Sequence, residues 1–313
     1  MSSRFDALLL LSFGGPEKHE DVIPFLENVL RGRNVPRERI LEVAEHYYHF
    51  DGRSPINDHC RELVAALKPL AGVPVYWGNR NWHPMLADAV AQMRRDGVKH
   101  ALAIATSAFG SYSGCRQYRE DIAKACAGVE DAPGIEKLPP FWSHEGFIGA
   151  MVERVREALA ALPGAQVVYT AHSIPNAMAA ASPYVEQLRA ASGRINNALG
   201  LGEPVLAFQS RSGPPSQPWL EPDIGDYIRG FGGGKLVVAP LGFLSDHMEV
   251  LYDLDHEAAQ IAAQCGVEFR RAGTVGTHPL FVAGLADLFR TAQSQGLTAC
   301  RIDCCQPAAR PSR

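Results

Sequence analysis

Between residues 240 and 257 the chain reads PLGFLSDHMEVLYDLDHE, and acidic side chains recur there every three or four residues. Asp246, Glu249, Asp253 and the pair His256/Glu257 have the spacing that stacks side chains along one face of a helix. Like charges at that interval repel and weaken an isolated helix, so such a row has one of two meanings. It is a solvated acidic face, the usual sense of a charge run, or it accommodates a cation, for which a divalent metal would serve.

Short apolar runs rich in β-branched residues alternate with amphipathic stretches through nearly the whole sequence, which predicts an α/β fold with parallel sheets. Strands are expected at 7–11, 73–77, 100–106 and 135–138, and again at 166–171, 205–209, 236–240 and 267–270. Helices are expected between them, including 24–30, 61–67 and 86–94. Two similar halves follow, with the break in LPPFWSHEGF (138–147), where Pro139 and Pro140 stop a strand and Ser143 can cap the next helix. The expected division is 1–139 and 140–278, with a C-terminal helix and tail, 279–313, packing back on the first half. No low-complexity linker separates the halves, so they should share a cleft.

In open α/β sheets ligands bind beyond the carboxyl ends of strands, so the residues after each strand matter most. After the first comes Ser12-Phe13-Gly14-Gly15-Pro16, which presents Phe13 but lacks a dinucleotide-binding glycine spacing. FGGGK, 231–235, precedes a strand and reads as a plain turn. TSAFGSYSGCRQYR, 106–119, brings Cys115 and Tyr118. Strand 166–171 delivers His172 in TAHSIP, after which Pro175 should keep the chain from running straight into a helix. If the second half is doubly wound, His172 and Glu249 face one cleft. One imidazole and one carboxylate make a poor permanent metal cage; they suit a metal in transit or acid/base work.

With 30 basic and 34 acidic residues the net charge is −4, and no basic stripe provides an electrostatic footprint for nucleic acid. The run ALLLLSF is short and ends in GGP without a cleavage pattern, so it reads as a buried strand and not a secretion signal. No apolar segment reaches the roughly 20 residues of a membrane-spanning helix, which makes the cytoplasm the expected compartment. Seven cysteines suit no disulfide framework, and Cys300, Cys304 and Cys305 crowd near the C-terminus, which favours metal ligation.

The motifs LLLLSFGGP, GRSPIND, GNRNWHP, SYSGCRQYRED, TAHSIP, QSRSGPPSQPWLEPD and PLGFLSDHMEVLYDLD, in this order, resemble the ferrochelatase family over nearly the whole chain. The resemblance implies two Rossmann-like, chelatase-type halves with a porphyrin between them, and insertion of Fe²⁺ into that porphyrin in haem biosynthesis. His172 matches the family's active-site histidine, Glu249 the glutamate opposite it, and Asp253 with the rest of the acidic row the proposed iron route. Whether His172 takes the pyrrole proton or ligates the metal is left open. Phe13 stands where relatives often have an iron-ligating tyrosine. Ser54 and Tyr118 match positions that contact the porphyrin and its propionates, and Arg31, Arg33 and Arg53 are candidates for pairing with carboxylates because guanidinium binds planar anions bidentately.

The cysteine tail implies a 2Fe-2S cluster, carried by some bacterial ferrochelatases. TACRIDCCQ supplies Cys300, Cys304 and Cys305; Cys115, expected in a loop, is the choice for the fourth thiolate, while Cys126 and Cys265 read as small buried apolar residues. Zinc and idle thiols are the alternatives. The short N-terminus, GNRNWHP and the tail together resemble the actinobacterial type, which uses coproporphyrin III and makes Fe-coproporphyrin III (coproheme). Protoporphyrin IX, a non-catalytic porphyrin or haem carrier, and a cobalt or nickel chelatase are the rival readings. The partner implied besides porphyrin and iron is a downstream haem-pathway enzyme receiving the product.

Overall fold

The computed structural model describes residues 4–32, 35–213, 217–298, 300 and 304–307. The run ALLLLS is β1 (Ala7–Ser12), buried at all six positions because neighbours cover it on both edges and both faces. It is followed by α1 (Val22–Val29), α2 (Arg37–Tyr48) and α3 (Ile56–Ala71), then β2 (Val75–Asn79), α4 (Leu86–Arg95) and β3 (His100–Ala105). A π-helical turn, Tyr112–Arg116, runs into α5 (Gln117–Ala127), and β4 (Gly134–Lys137) completes a parallel sheet of order β2-β1-β3-β4.

The second half repeats the plan. It comprises α6 (Glu145–Ala161), β5 (Gln166–His172), α7 (Asn176–Ala180), α8 (Tyr184–Leu199), β6 (Val205–Gln209), α9 (Ile224–Gly230) and β7 (Gly234–Ala239). One continuous helical rod then follows, made of α10 (Met248–Val250), a π-helical stretch Leu251–Ala258 and α11 (Ala259–Gln264), before β8 (Val267–Arg271). The sheet order is β6-β5-β7-β8, again parallel. The last helix, α12 (Pro279–Gln295), packs on α6 of the second half and α3 of the first.

Strand alternation divides the core. Leu8, Leu10, Leu102 and Ile104 of the first sheet and Val167, Tyr169 and Val237 of the second share one apolar cluster with Leu63 of α3, Met151 of α6 and Phe281 of α12. The opposite faces are covered separately, Leu9 and Leu11 by α4 and α5, and Val168, Leu236 and Val238 by α9 and the π-helical rod. Two details differ from expectation. Helix α6 is capped by His144, whose Nδ1 accepts from the Gly146 amide, and not by Ser143. Pro175 sits immediately before α7 and does not delay it, since a helix's first turn has no use for the missing N–H. Among the described residues, no helix is long and apolar enough to cross a membrane.

The α6/α12 crossing depends on glycine. A Cβ at Gly146 would lie 2.5 Å from the Leu280 carbonyl oxygen and 2.7 Å from Gly284 Cα, both backbone atoms that cannot swing aside. Gly146→Ala should therefore destabilise the protein by about 1–3 kcal/mol through overpacking. Gly193→Ala in α8, where nothing lies within 4 Å, should stabilise it by roughly 0.4–1 kcal/mol. Urea unfolding midpoints of the two variants, moving in opposite directions, check both.

Candidate active site

In each sheet the order reverses direction beside its first strand, so the loops after β1 and β3, and after β5 and β7, diverge and leave a crevice. His172 is the last residue of β5, and Glu249 lies in α10, reached through the loop after β7. Their side chains meet: Nε2 of His172 is 3.5 Å from Oε2 of Glu249. The backbone at His172 is held by Tyr184, whose hydroxyl donates to the His172 carbonyl at 3.1 Å. Nδ1 of His172 lies 2.5 Å from the carbonyl oxygen of Ser173, which can only accept. In the neutral ring the proton is therefore on Nδ1, and the lone pair is on Nε2, facing Glu249.

The acidic row divides in two. Asp246 precedes the helix and does not share its face; Arg271 grips it with Nη1 and Nη2 at 3.1 Å each, and the Thr274 hydroxyl adds a bond at 3.1 Å. Arg271 Nε also takes Asp255 at 2.6 Å. Among the described contacts, none joins Glu249, Asp253 or Glu257 to that arginine. Asp253 accepts from the Ser210 hydroxyl and, at 3.5 Å, from Gln209 Nε2. Burial, with the charges of Glu249 and Glu257, pushes the Asp253 carboxyl up to about 7, while the Ser210 bond opposes the shift. Tyr47 of α2 faces these carboxylates from the first half; burial raises its phenol, and Glu249 and Asp253 add to this. His247, packed edge-on to Phe243 at 5.0 Å, is held below the usual imidazole range by burial.

Further along the rod the halves touch through rings. His46 stacks on Tyr252 at 3.9 Å and 7°, and His49 meets His256 at 4.5 Å. A cavity of about 420 Å³ is lined by Glu45, His46, Tyr48, His49, Tyr252 and His256.

In the first half, Phe13 packs edge-on to Phe25 at 6.2 Å in a cluster with Trp82 and Tyr47. Ser54 is buried beside Gly15 of the β1 loop. Tyr118 is buried under Arg80, whose guanidinium lies 3.8 Å above its ring and 6.0 Å from that of Phe13. Arg80 is almost fully enclosed, with Nε 2.5 Å from Asp121. It was not singled out from the sequence, although it follows the end of β2 inside GNRNWHP, where the strand-end rule points. Gln209, Ser210 and Tyr47 were missed as well. Arg31 and Arg53 stay on the surface, engaged by Asn28 and Asp58, and are not drawn to the His172/Glu249 pair by any described contact; Arg33 lies outside the described residues.

The sequence model described as Ferrochelatase matches residues 5–293. The chain belongs to the ferrochelatase family. A protein named ferrochelatase from Rhodopirellula baltica is 52% identical, covering 91% of this chain and 85% of its own length. One named coproporphyrin III ferrochelatase from Nocardia farcinica is 48% identical, covering 98% of both chains. The solved sirohydrochlorin chelatase SirB of Bacillus subtilis subspecies spizizenii, in complex with cobalt, shares the fold at a TM-score of 0.57 with 13% identity, over 92% of this chain and 94% of its own.

The thiols form a second group of interest in this family member. Cys115 is buried in the π-helical turn ahead of α5, not in an open loop, and Cys305 is buried beside it. Cys305 donates to Cys115, and together with Lys137 and Arg119 this lowers the Cys115 thiol to about 6 despite burial; the same bond pushes Cys305 up. Cys304 adds to the upward shift of both Cys305 and Cys300. Arg119 Nη2 is 3.6 Å from Cys304 Sγ. Among the described residues no three His, Cys, Asp or Glu side chains are arranged to hold a single metal ion. Cys265 is exposed, because α11 ends one residue earlier and turns it to solvent, and Cys126 is only half-buried; neither is the enclosed residue its composition implied.

The Asp253 carboxyl is raised from its ordinary value, so between about pH 4 and pH 7 the folded state holds a proton that the unfolded chain releases, and this group makes stability fall as pH rises through that window. Asp253→Asn should remove that dependence and raise the melting temperature most above pH 7. Thermal melts of both proteins from pH 4 to 9, without metal, give the comparison; parallel curves would mean the carboxyl is not strained by burial.

Proposed function

We propose that the protein is a cytoplasmic coproporphyrin ferrochelatase, inserting Fe²⁺ into coproporphyrin III to give Fe-coproporphyrin III, which a downstream haem-pathway enzyme then receives. The observation that carries this reading is the His172/Glu249 pair, held 3.5 Å apart at the strand-order reversal of the second sheet. Relatives named coproporphyrin III ferrochelatase, matched along nearly their full length, support the choice of porphyrin.

Insertion requires two pyrrole N–H protons to leave as the ion arrives. A flat macrocycle hides its nitrogen lone pairs, so a cleft that holds the ring bent lowers the barrier by spending binding energy on distortion. In our reading His172 is the base. Its Nε2 lone pair takes the two pyrrole protons in turn, passing the first to bulk water before accepting the second, and Glu249 stabilises the imidazolium formed each time, as a carboxylate in hydrogen-bond range of a cationic ring does. Glu249, Asp253 and Glu257 draw the iron inward and replace part of its water shell. Phe13 is the partly open ring against which the macrocycle lies; Tyr118 and Ser54, both buried, back that wall, with Arg80 fixing the Tyr118 ring. Arg31 and Arg53 are the arginines offered to propionates, at the expense of their present Asn28 and Asp58 contacts.

Cys115, Cys300, Cys304 and Cys305 would hold a 2Fe-2S cluster. What supports this is the chemistry of the donor set: four thiols whose ionisations are linked to one another, with a lowered Cys115 and the cations Lys137 and Arg119 beside them. A cluster shares four thiolates between two irons, so it does not need three of them round one ion. When bound it supplies a one-electron redox centre and ties the tail to α5.

Replacing His172 with Ala should lower turnover by about 10²–10⁴-fold, the usual contribution of a general base, with porphyrin binding retained. Fe²⁺-dependent loss of free-porphyrin fluorescence reads this out, and running coproporphyrin III beside protoporphyrin IX tests the substrate. Preference for protoporphyrin, or binding of both without metallation, would replace the proposal. For the cluster, anaerobically purified protein should show visible absorption and acid-labile sulfide, both lost in Cys304→Ser.

A further inference from the structure

At His172 the sheet secures β5 along one edge. The ladder to β7 stops at Tyr169, while on the β6 side His172 pairs with Gln209 and the Ser173 amide donates to the Gln209 carbonyl at 2.7 Å. The His172 carbonyl is held from outside the sheet, by the hydroxyl of Tyr184 at 3.1 Å, and Tyr184 is the first residue of α8. The phenol is buried and burial raises it, so it stays a donor at any working pH. The ring of His172 follows its backbone closely, because Nδ1 is bonded to the carbonyl of the very next residue, Ser173.

The same turn of α8 grips the first half of the molecule. Gln187, which shares a helix face with Tyr184, accepts from the Gly110 amide at 2.7 Å, and the Phe109 ring meets Tyr184 edge-on at 6.4 Å. Phe109 and Gly110 lie in the loop after β3 and are buried. The contact has no slack: a Cβ at Gly110 would come within 3.1 Å of Pro183 Cγ and 3.3 Å of Gln187 Oε1. From Gly110 the chain passes into Ser111, whose hydroxyl accepts from the Gly114 amide at 3.0 Å and caps the π-helical turn leading to α5 and Tyr118.

We propose that the first turn of α8 is a spacer that sets the His172 imidazole against the porphyrin wall, with Tyr184 and Gln187 as its positioning residues. Tyr184 fixes the base and Gln187 fixes the loop leading to Tyr118, so both sides of the cleft are registered on one stiff helical turn. The inference rests on the function proposed above. Neither residue takes or gives a proton in the reaction; each acts through what it holds. Proton transfer demands a close approach, and a remote change that misplaces a reacting group by about 1 Å can cost about 10²-fold in rate. Loss of one of two anchors should cost less than that.

The test is steady-state turnover of the full-length protein, read as Fe²⁺-dependent loss of fluorescence with coproporphyrin III and with protoporphyrin IX. Tyr184→Phe keeps the ring against Phe109 and removes the hydroxyl; kcat should fall about 10-fold while KM for porphyrin stays within about twofold. In a His172→Ala background, over longer incubations, the same change should cost less than about twofold, because residues acting through one group are not additive. Gln187→Met removes the acceptor and should lower kcat about threefold or more, whereas Gln187→Glu keeps an acceptor and should restore it. If Tyr184→Phe does not fold, the Gln187 pair decides the matter. A lowered melting temperature with kcat unchanged in Tyr184→Phe or Gln187→Met overturns the spacer, as does an equal loss from Tyr184→Phe with and without His172. Unaltered protein that metallates neither porphyrin defeats the functional reading and the spacer with it, whereas normal turnover in the unaltered protein and both variants defeats the spacer alone.

Discussion

Alternate residues of a parallel strand face opposite sides of its sheet, and where strand order reverses the following loops part; the arrangement of this molecule's chemistry rests on those two facts together. Val168, Thr170 and His172 of β5 and Ala207 and Gln209 of β6 fall on the side that the π-helical rod covers. The reversal beside β5 parts the loops after β5 and β7 and opens room for the one that carries Glu249 back across the strand ends. Shift β5 by one residue against its neighbours and His172 turns into the apolar cluster shared by the two halves, leaving Glu249 without an opposite number.

Charge is then partitioned by one arginine. Arg271 binds Asp246 and Asp255 and so converts two members of the acidic run into structure, leaving Glu249, Asp253 and Glu257 to repel one another on the other side. That residual repulsion, added to burial, keeps Asp253 near the protonation boundary at neutral pH. A carboxylate so placed gains much from an approaching cation and little from water.

Much of this was legible in the residues. All eight strands were expected within two residues of their observed ends, because buried parallel strands read as short apolar runs whatever lies around them. His172 and Glu249 were legible because they follow such runs. The π-helical winding was not, since carboxylates four apart suit either an α turn or the wider one. Asp246 was assigned to the helix face because spacing cannot see Arg271, twenty-five positions away. Gln209 escaped notice for a similar reason: an amide at a strand end is unremarkable until the structure shows one of its two polar atoms unmet. His144 outcompeted Ser143 as a cap through its ring nitrogen, which standard capping preferences do not count.

The ring contacts between α2 and the rod carry a mechanical consequence. The stack of His46 on Tyr252 and the tilted contact of His49 with His256 involve no backbone hydrogen bonds, and each is worth roughly 0.5–1.5 kcal/mol. Parting them costs little more than a few multiples of thermal energy, so α2 can draw back from the rod locally while the apolar cluster shared by the halves stays packed. That seam is held by side-chain rings, whereas α12 and the shared apolar cluster are what fasten the halves together.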